Sequence, residues 1–147
     1  MIVGIYRKFL TREDLDNQQR ALVKNNLAYM LAINENGKEA LGLVSDAMTF
    51  LGPTPHLLDT RAMAKIALGK YSDAQHDLSS ALDEGESASL RFHLAYANYM
   101  DRDLGSAEQE MRQAIELGIN PHIMHPAERK IYNRIINDLD LQSLAMN

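Results

Sequence analysis

At 147 residues the chain holds enough material for one continuous core and too little for two ordinary domains. Apolar residues make up 46% and charged ones 24%, a balance that suits a globular protein folding in water and sets the chain apart from disordered and membrane classes. The absence of cysteine removes disulfides, thiolate zinc sites and cysteine nucleophiles, and a net charge of -5 with scattered basic residues disfavours nucleic acid and anionic lipid as partners.

The chain opens with MIVGIYRKFL, in which Arg7 and Lys8 interrupt a short apolar run. No secretory signal is expected from it, and no stretch approaches the roughly 20 apolar residues that span a bilayer. A cytoplasmic location is the resulting expectation. Within residues 1–16, Ile5, Tyr6, Phe9 and Leu10 form a short apolar face. Two readings of it are open. It is the second helix of a repeat whose first helix is absent, which makes the chain the C-terminal part of a longer array, or it is a short helix that simply caps the first repeat. The first reading leaves apolar surface at that end for self-association.

Three segments come next, 17–52, 53–86 and 87–120, which align on their small residues. These are Ala28, Ala40 and Ala47, then Ala62, Ala74 and Ala81, then Ala95, Ala107 and Ala114. Within each segment the alanines stand 12 and then 7 residues apart, and equivalent alanines recur after 34 and then 33 residues. A fixed period of this length marks stacked supersecondary units. Larger apolar residues fill the intervals at helical spacing: Leu27, Leu31, Val44 and Met48; Ile66, Leu68, Leu78 and Leu82; Leu94, Tyr99, Met111 and Ile115. Breaks fall at Asn36-Gly37, Gly52-Pro53, Gly69-Lys70, Glu84-Gly85, Asp101 to Asp103 and Gly118 to Pro121. Each segment therefore reads as helix, turn, helix. The alanines remove bulk where two backbones cross most closely, and one pair cannot cover its remaining apolar face, so the pairs must stack.

Residues 121–147 supply an end cap. In HPAERKIYNRIINDLDL, Pro126 suits the first helical position and Glu128 the first turn, followed by Ile131, Ile135, Ile136 and Leu139. That stripe would cover the last pair, leaving Arg129, Lys130, Arg134 and Asp138 to water.

The segments NNLAYMLAINENGKEALGLVSDAM, LLDTRAMAKIALGKYSDAQHDLSSAL and LRFHLAYANYMDRDLGSAEQEMRQAIELG resemble tetratricopeptide repeats, over Asn25 to Gly118. The pattern of small residues is kept in all three, and the second carries the family-like turn residues Gly69 and Tyr71. The chain departs from the family in having no tryptophan, and only Pro53 and Pro121 meet the proline expected after each second helix. The resemblance implies an all-α superhelix of three helix-turn-helix repeats with a C-terminal capping helix. It also implies a concave groove lined mainly by each first helix. Projecting the non-core face of those helices places Asn25, Tyr29, Asp59, Met63, Phe92, Tyr96 and Tyr99 along the groove. The expected function is a protein-interaction scaffold holding a peptide or protein segment there. Some members of the family grip a C-terminal carboxylate with Lys, Arg and Asn. Here Tyr29, Asp59, Met63 and Phe92 stand in place of a basic cluster, which argues against that role and for a partner of apolar, and secondarily basic, character. The alternative is a structural or oligomerising spacer, or an accessory module of a larger protein, attached to an upstream enzyme domain.

Nothing in the sequence assembles a reaction. His122 and His125 in NPHIMHP stand three apart with only Glu128 nearby, short of a metal ligand set. His56, His76 and His93 are dispersed over other units with no nucleophile at a recognisable spacing, and they read as surface or groove residues. Glu84 with Glu86 and Asp101 with Asp103 fall in turns, where such residues cap helices. The eight glycines form no phosphate-binding loop. No enzyme activity, metal or cofactor is expected.

Overall fold

Side-chain caps and tight turns divide the chain into helices, and no strand occurs among residues 1–146, which the computed structural model describes. Helix α1 covers Ile2–Leu10, α2 Asn17–Ile33, α3 Gly37–Leu51, α4 Pro55–Ala67, α5 Tyr71–Asp83, α6 Ala88–Met100 and α7 Leu104–Glu116. A 3-10 turn at Pro121–Ile123 leads to α8, Pro126–Asp138, and the short α9, Gln142–Ala145. None of the described helices is long and apolar enough to cross a membrane.

The starts of the first helices are held by side chains. Asp16 Oδ1 accepts from Gln19 N at 2.7 Å while Gln19 Oε1 accepts from Asp16 N at 3.0 Å, so α2 opens with a reciprocal box. Thr54 caps α4 ahead of Pro55, and Ser87 caps α6. The turns inside the pairs share a different device. Glu35, Gly69 and Arg102 have φ of 66°, 76° and 64°, so the left-handed residue recurs with the same period as the alanines. Glycine adopts this conformation freely, whereas Glu35 and Arg102 are held there by the turn.

α2 pairs with α3, α4 with α5 and α6 with α7; α4 then packs on both α2 and α3, and α6 chiefly on α5. All nine register alanines are fully buried. Their methyl groups let the helix axes approach, and leucines and methionines beside them supply the buried area, each about 1.5–3 kcal/mol. Leu68, expected in the interior, lies 38% exposed at the end of α4. Gly37 marks another close approach. A Cβ on it would stand 2.7 Å from the Ala64 carbonyl oxygen and 2.8 Å from Leu68 Cγ, so α3 meets the end of α4 with no room for a side chain. In the second pair, buried Asp77 of α5 receives Arg61 at 2.7 and 2.8 Å and Lys65 at 2.8 Å, both from α4.

The two ends differ. α1 lies on α2 with Val3, Tyr6 and Leu10 against the core, while Ile5 and Phe9, expected on the same face, are 57% and 39% exposed. Arg20 fastens this end by donating to the Leu10 and Arg12 carbonyls at 2.7 and 2.8 Å. At the other end α8 closes a second core cluster: Tyr132, Ile135 and Ile136 are buried with Phe92, Met111 and Ala114, and the Phe92 and Tyr132 rings meet edge-on at 5.7 Å. Arg129 does not simply face water. Its guanidinium folds back onto the carbonyls of Pro121, His122 and Met124 at 2.8, 3.1 and 3.2 Å, and the first of these also closes the 3-10 turn by accepting from Met124 N at 3.3 Å.

Candidate functional site

The first helices of the three pairs each bring one polar side chain to a common point: Tyr29 from α2, Asp59 from α4 and His93 from α6. The first turn of α8 brings a fourth, Glu128. Asp59 Oδ1 lies 2.6 Å from His93 Nδ1, and Glu128 Oε1 lies 2.5 Å from His93 Nε2. The Tyr29 hydroxyl donates to the same Glu128 oxygen at 2.7 Å. Both ring nitrogens face carboxylate oxygens, so both must donate, which requires the imidazolium form. Burial works against a charge on His93, yet the adjacent Asp59 and Glu128 carboxylates outweigh it and push the pKa up to about 10. Burial would raise Glu128, but the hydrogen bonds from His93 and Tyr29 hold its carboxyl below the usual range. The Tyr29 phenol is pushed well above its ordinary value by burial first and then by the Glu128 and Asp59 charges. The group is thus two carboxylates, one imidazolium and one neutral phenol, with one negative charge left over.

A cavity of about 570 Å³ opens over this group. Tyr6, Met30, Pro55 and Leu90 make its apolar walls, and Asn26 and His56 stand at its side. Asp59, Glu84, Glu86 and Glu128 are its carboxylates, and no lysine or arginine lines it among the described residues. Glu86 is taken up by Arg91 at 2.6 and 2.9 Å. An imidazolium whose two N–H groups are engaged by carboxylates has no lone pair with which to take a proton, and the cavity's Ser87 hydroxyl is occupied in capping Leu90 N at 3.3 Å.

Of the seven residues projected onto the groove, Tyr29 and Asp59 line this cavity. Asn25, Met63 and Phe92 do not reach a partner: each is at most 2% exposed, so the expectation for them is corrected. Stacking turns their positions inward, and for Phe92 the Tyr132 ring of α8 closes over it. Tyr96 is half-buried against both core clusters, and the Tyr99 hydroxyl is tied to Asp138 of α8; neither lines the cavity. His93 and Glu128 are the residues that sequence reasoning missed. His93, expected at the surface or groove, is buried instead. One signal pointed to it. Asp59 and His93 are 34 residues apart, one more than the 33 that separate the second unit from the third, and adjacent units bring positions so nearly in register close together. Glu128 lies beyond the repeats and carried no such signal. His125 accepts from Ala127 N at 3.1 Å as the cap of α8, and no metal-binding cluster of three or more His, Asp or Glu occurs among the described residues.

No family model matches the chain, and no curated protein matches it either. Among solved structures, the first tetratricopeptide domain of Spaghetti (RPAP3), bound to the HSP90 peptide SRMEEVD, is similar over 85% of this chain and 99% of that one. The TM-score is 0.62 at 20% sequence identity. The fold is the tetratricopeptide type. In that tetratricopeptide frame the cavity lies where first helices of successive pairs face one another, and α8 adds a wall from outside the pairs. The fold is shared at an identity too low to carry over the neighbour's peptide contacts.

Proposed function

We propose that this tetratricopeptide array is a protein-interaction module that holds a segment of another polypeptide in the cavity over Tyr29, Asp59 and His93. The observation that carries this reading is the cavity itself: about 570 Å³, within the size range of ligand pockets, with apolar walls and a few convergent polar groups. The solved structure of the same fold with a peptide bound supports it as an analogy of architecture. The reading is one of binding without covalent chemistry, in keeping with a His93 imidazolium whose two N–H groups are both engaged by carboxylates.

The test is obstruction of the cavity without damage to the fold. Asn26 is exposed on α2 and lines the cavity, so Asn26→Trp fills the opening from a position the core does not use. The substitution should leave helical content by circular dichroism unchanged and abolish capture of segments selected from a random peptide library. Capture at full strength by the folded variant would refute this site.

A second reading, self-association at the N-terminal end, is favoured by one feature. Ile2, Ile5 and Phe9 of α1 are all exposed, close enough in sequence to form a patch. Light scattering over a concentration series checks it: a dimer that Ile5→Lys abolishes supports this contact, and a monomer at every concentration removes it.

A further inference from the structure

We propose that the occupant of this cavity is a segment bearing a lysine or arginine, whose cationic group is received by Asp59 and Glu128 at the floor and by Glu84 at the rim. The inference rests on the cavity being a segment-binding site and adds the chemical class of the segment. Its geometric basis is the half-used state of two carboxylates. Asp59 spends Oδ1 on His93, and Glu128 spends Oε1 on both His93 and Tyr29. The second oxygen of each makes no hydrogen bond among the described residues, and neither is sealed from solvent, the sole such sealed orphan being Asn25 Oδ1. Both residues line the cavity with side chains only 13% and 12% exposed, so what exposure remains opens into it. Glu84, also lining it, makes no ion pair among the described residues.

Three classes of segment can be compared on this ground. An apolar segment seated over the floor would strip water from two carboxylate oxygens and give them no donor. An acidic segment would meet a like charge, because the single imidazolium balances only one of the two floor carboxylates. A basic side chain brings several N–H donors to oxygens already held in position, and its aliphatic stem can lie along Met30, Pro55 and Leu90. Among the described residues no lysine or arginine lines the cavity, so His93 is the internal cation there and it leaves the second oxygen of each carboxylate unused. The peptide SRMEEVD of the neighbouring structure sets one arginine against two glutamates and a terminal aspartate, so its net charge is opposite to the one this cavity favours.

The full chain is screened against a random peptide library, and the selected peptides are remade with their basic position changed to norleucine or glutamate; SQMEEVD, the neighbour's peptide with its arginine changed to glutamine, serves as the acidic probe. The expected result is a lysine or arginine at one preferred position, with about tenfold or greater weakening when it is replaced. Asp59→Asn should weaken the selected peptides about tenfold, with folding checked by its thermal melt. Glu84→Gln, exposed and unpaired, should weaken them about two- to fivefold with the fold intact, which keeps the proposal testable if Asp59→Asn does not fold. Selected peptides without a charge preference, or SQMEEVD bound as tightly as the basic peptides, would overturn the basic class and leave the binding module standing. Selection of no peptide at all would overturn both.

Discussion

His93 has an aspartate at one ring nitrogen and a glutamate at the other, and this placement decides its charge before any partner arrives. Its pKa, pushed up to about 10, means that the imidazolium persists through neutral pH despite its burial. An NMR titration following the His93 ring should therefore show no inflection near the ordinary value of 6.5 and begin to move only toward pH 10. A transition near 6.5 would show that the two carboxylates are not both in contact. Arg102 is a simpler case. It holds a φ of 64° in an exposed turn, the position that glycine fills in the preceding pair at Gly69. Arg102→Gly relieves the left-handed conformation and should stabilise the protein by about 0.5–1 kcal/mol, read as a higher urea midpoint at unchanged slope.

Between elements, the spacing of helices is set by what is missing from their surfaces. Gly37 has the Ala64 carbonyl oxygen at 2.7 Å from where a Cβ would stand, and a backbone oxygen cannot rotate aside. Gly37→Ala should cost about 1–3 kcal/mol by pushing α3 from α4, even though alanine is the better helix former. Ala74 and Ala107 occupy the same register in successive pairs and are fully buried, so leucine at either should cost a similar amount by overpacking. α8 is held differently, by Tyr132 against Phe92 and by Glu128 in the buried polar group. Glu128→Ala leaves the His93 imidazolium with one carboxylate and should destabilise the protein by up to about 3 kcal/mol. Amide exchange of α8 should quicken more than that of α4 or α5, because α8, unlike those two, loses its own polar anchor.

For the molecule as a whole, the polar group links stability to pH in a direction that can be worked out. The folded-state pKa of His93 is raised, so its contribution is fully present below 6.5, declines above that, and is gone past about 10. The folded-state pKa of Glu128 is lowered, so its contribution is present above the ordinary 4.5 and lost as pH falls through the folded value. Together they place the strongest docking of α8 between about pH 4.5 and 6.5, weakening on both sides. The difference in urea midpoint between the protein and His93→Gln should follow that course. A difference that does not change between pH 6.5 and 10 would separate the stability of α8 from the charge on His93.

The sequence by itself determined the helix-turn-helix period, the alanine register and the turn positions. Ala28, Ala62 and Ala95 are readable because the need for a small residue repeats wherever two helices of a pair cross, and the chain states that need three times. Gly69 is readable because its conformation is a local matter of a few bonds. The tertiary structure alone decided which groove positions stay open. Asn25, Met63 and Phe92 lie on the projected face as surely as Tyr29 and Asp59 do, yet the stack covers them and α8 covers Phe92 further. Burial depends on how far adjacent helices rotate as they stack, and no window of sequence carries that angle. The contact of Tyr29 with Glu128 spans 99 residues and joins the first pair to a helix outside the period. Its formation depends on the path that the 3-10 turn and Arg129 impose on the chain, a property of the assembled interior alone.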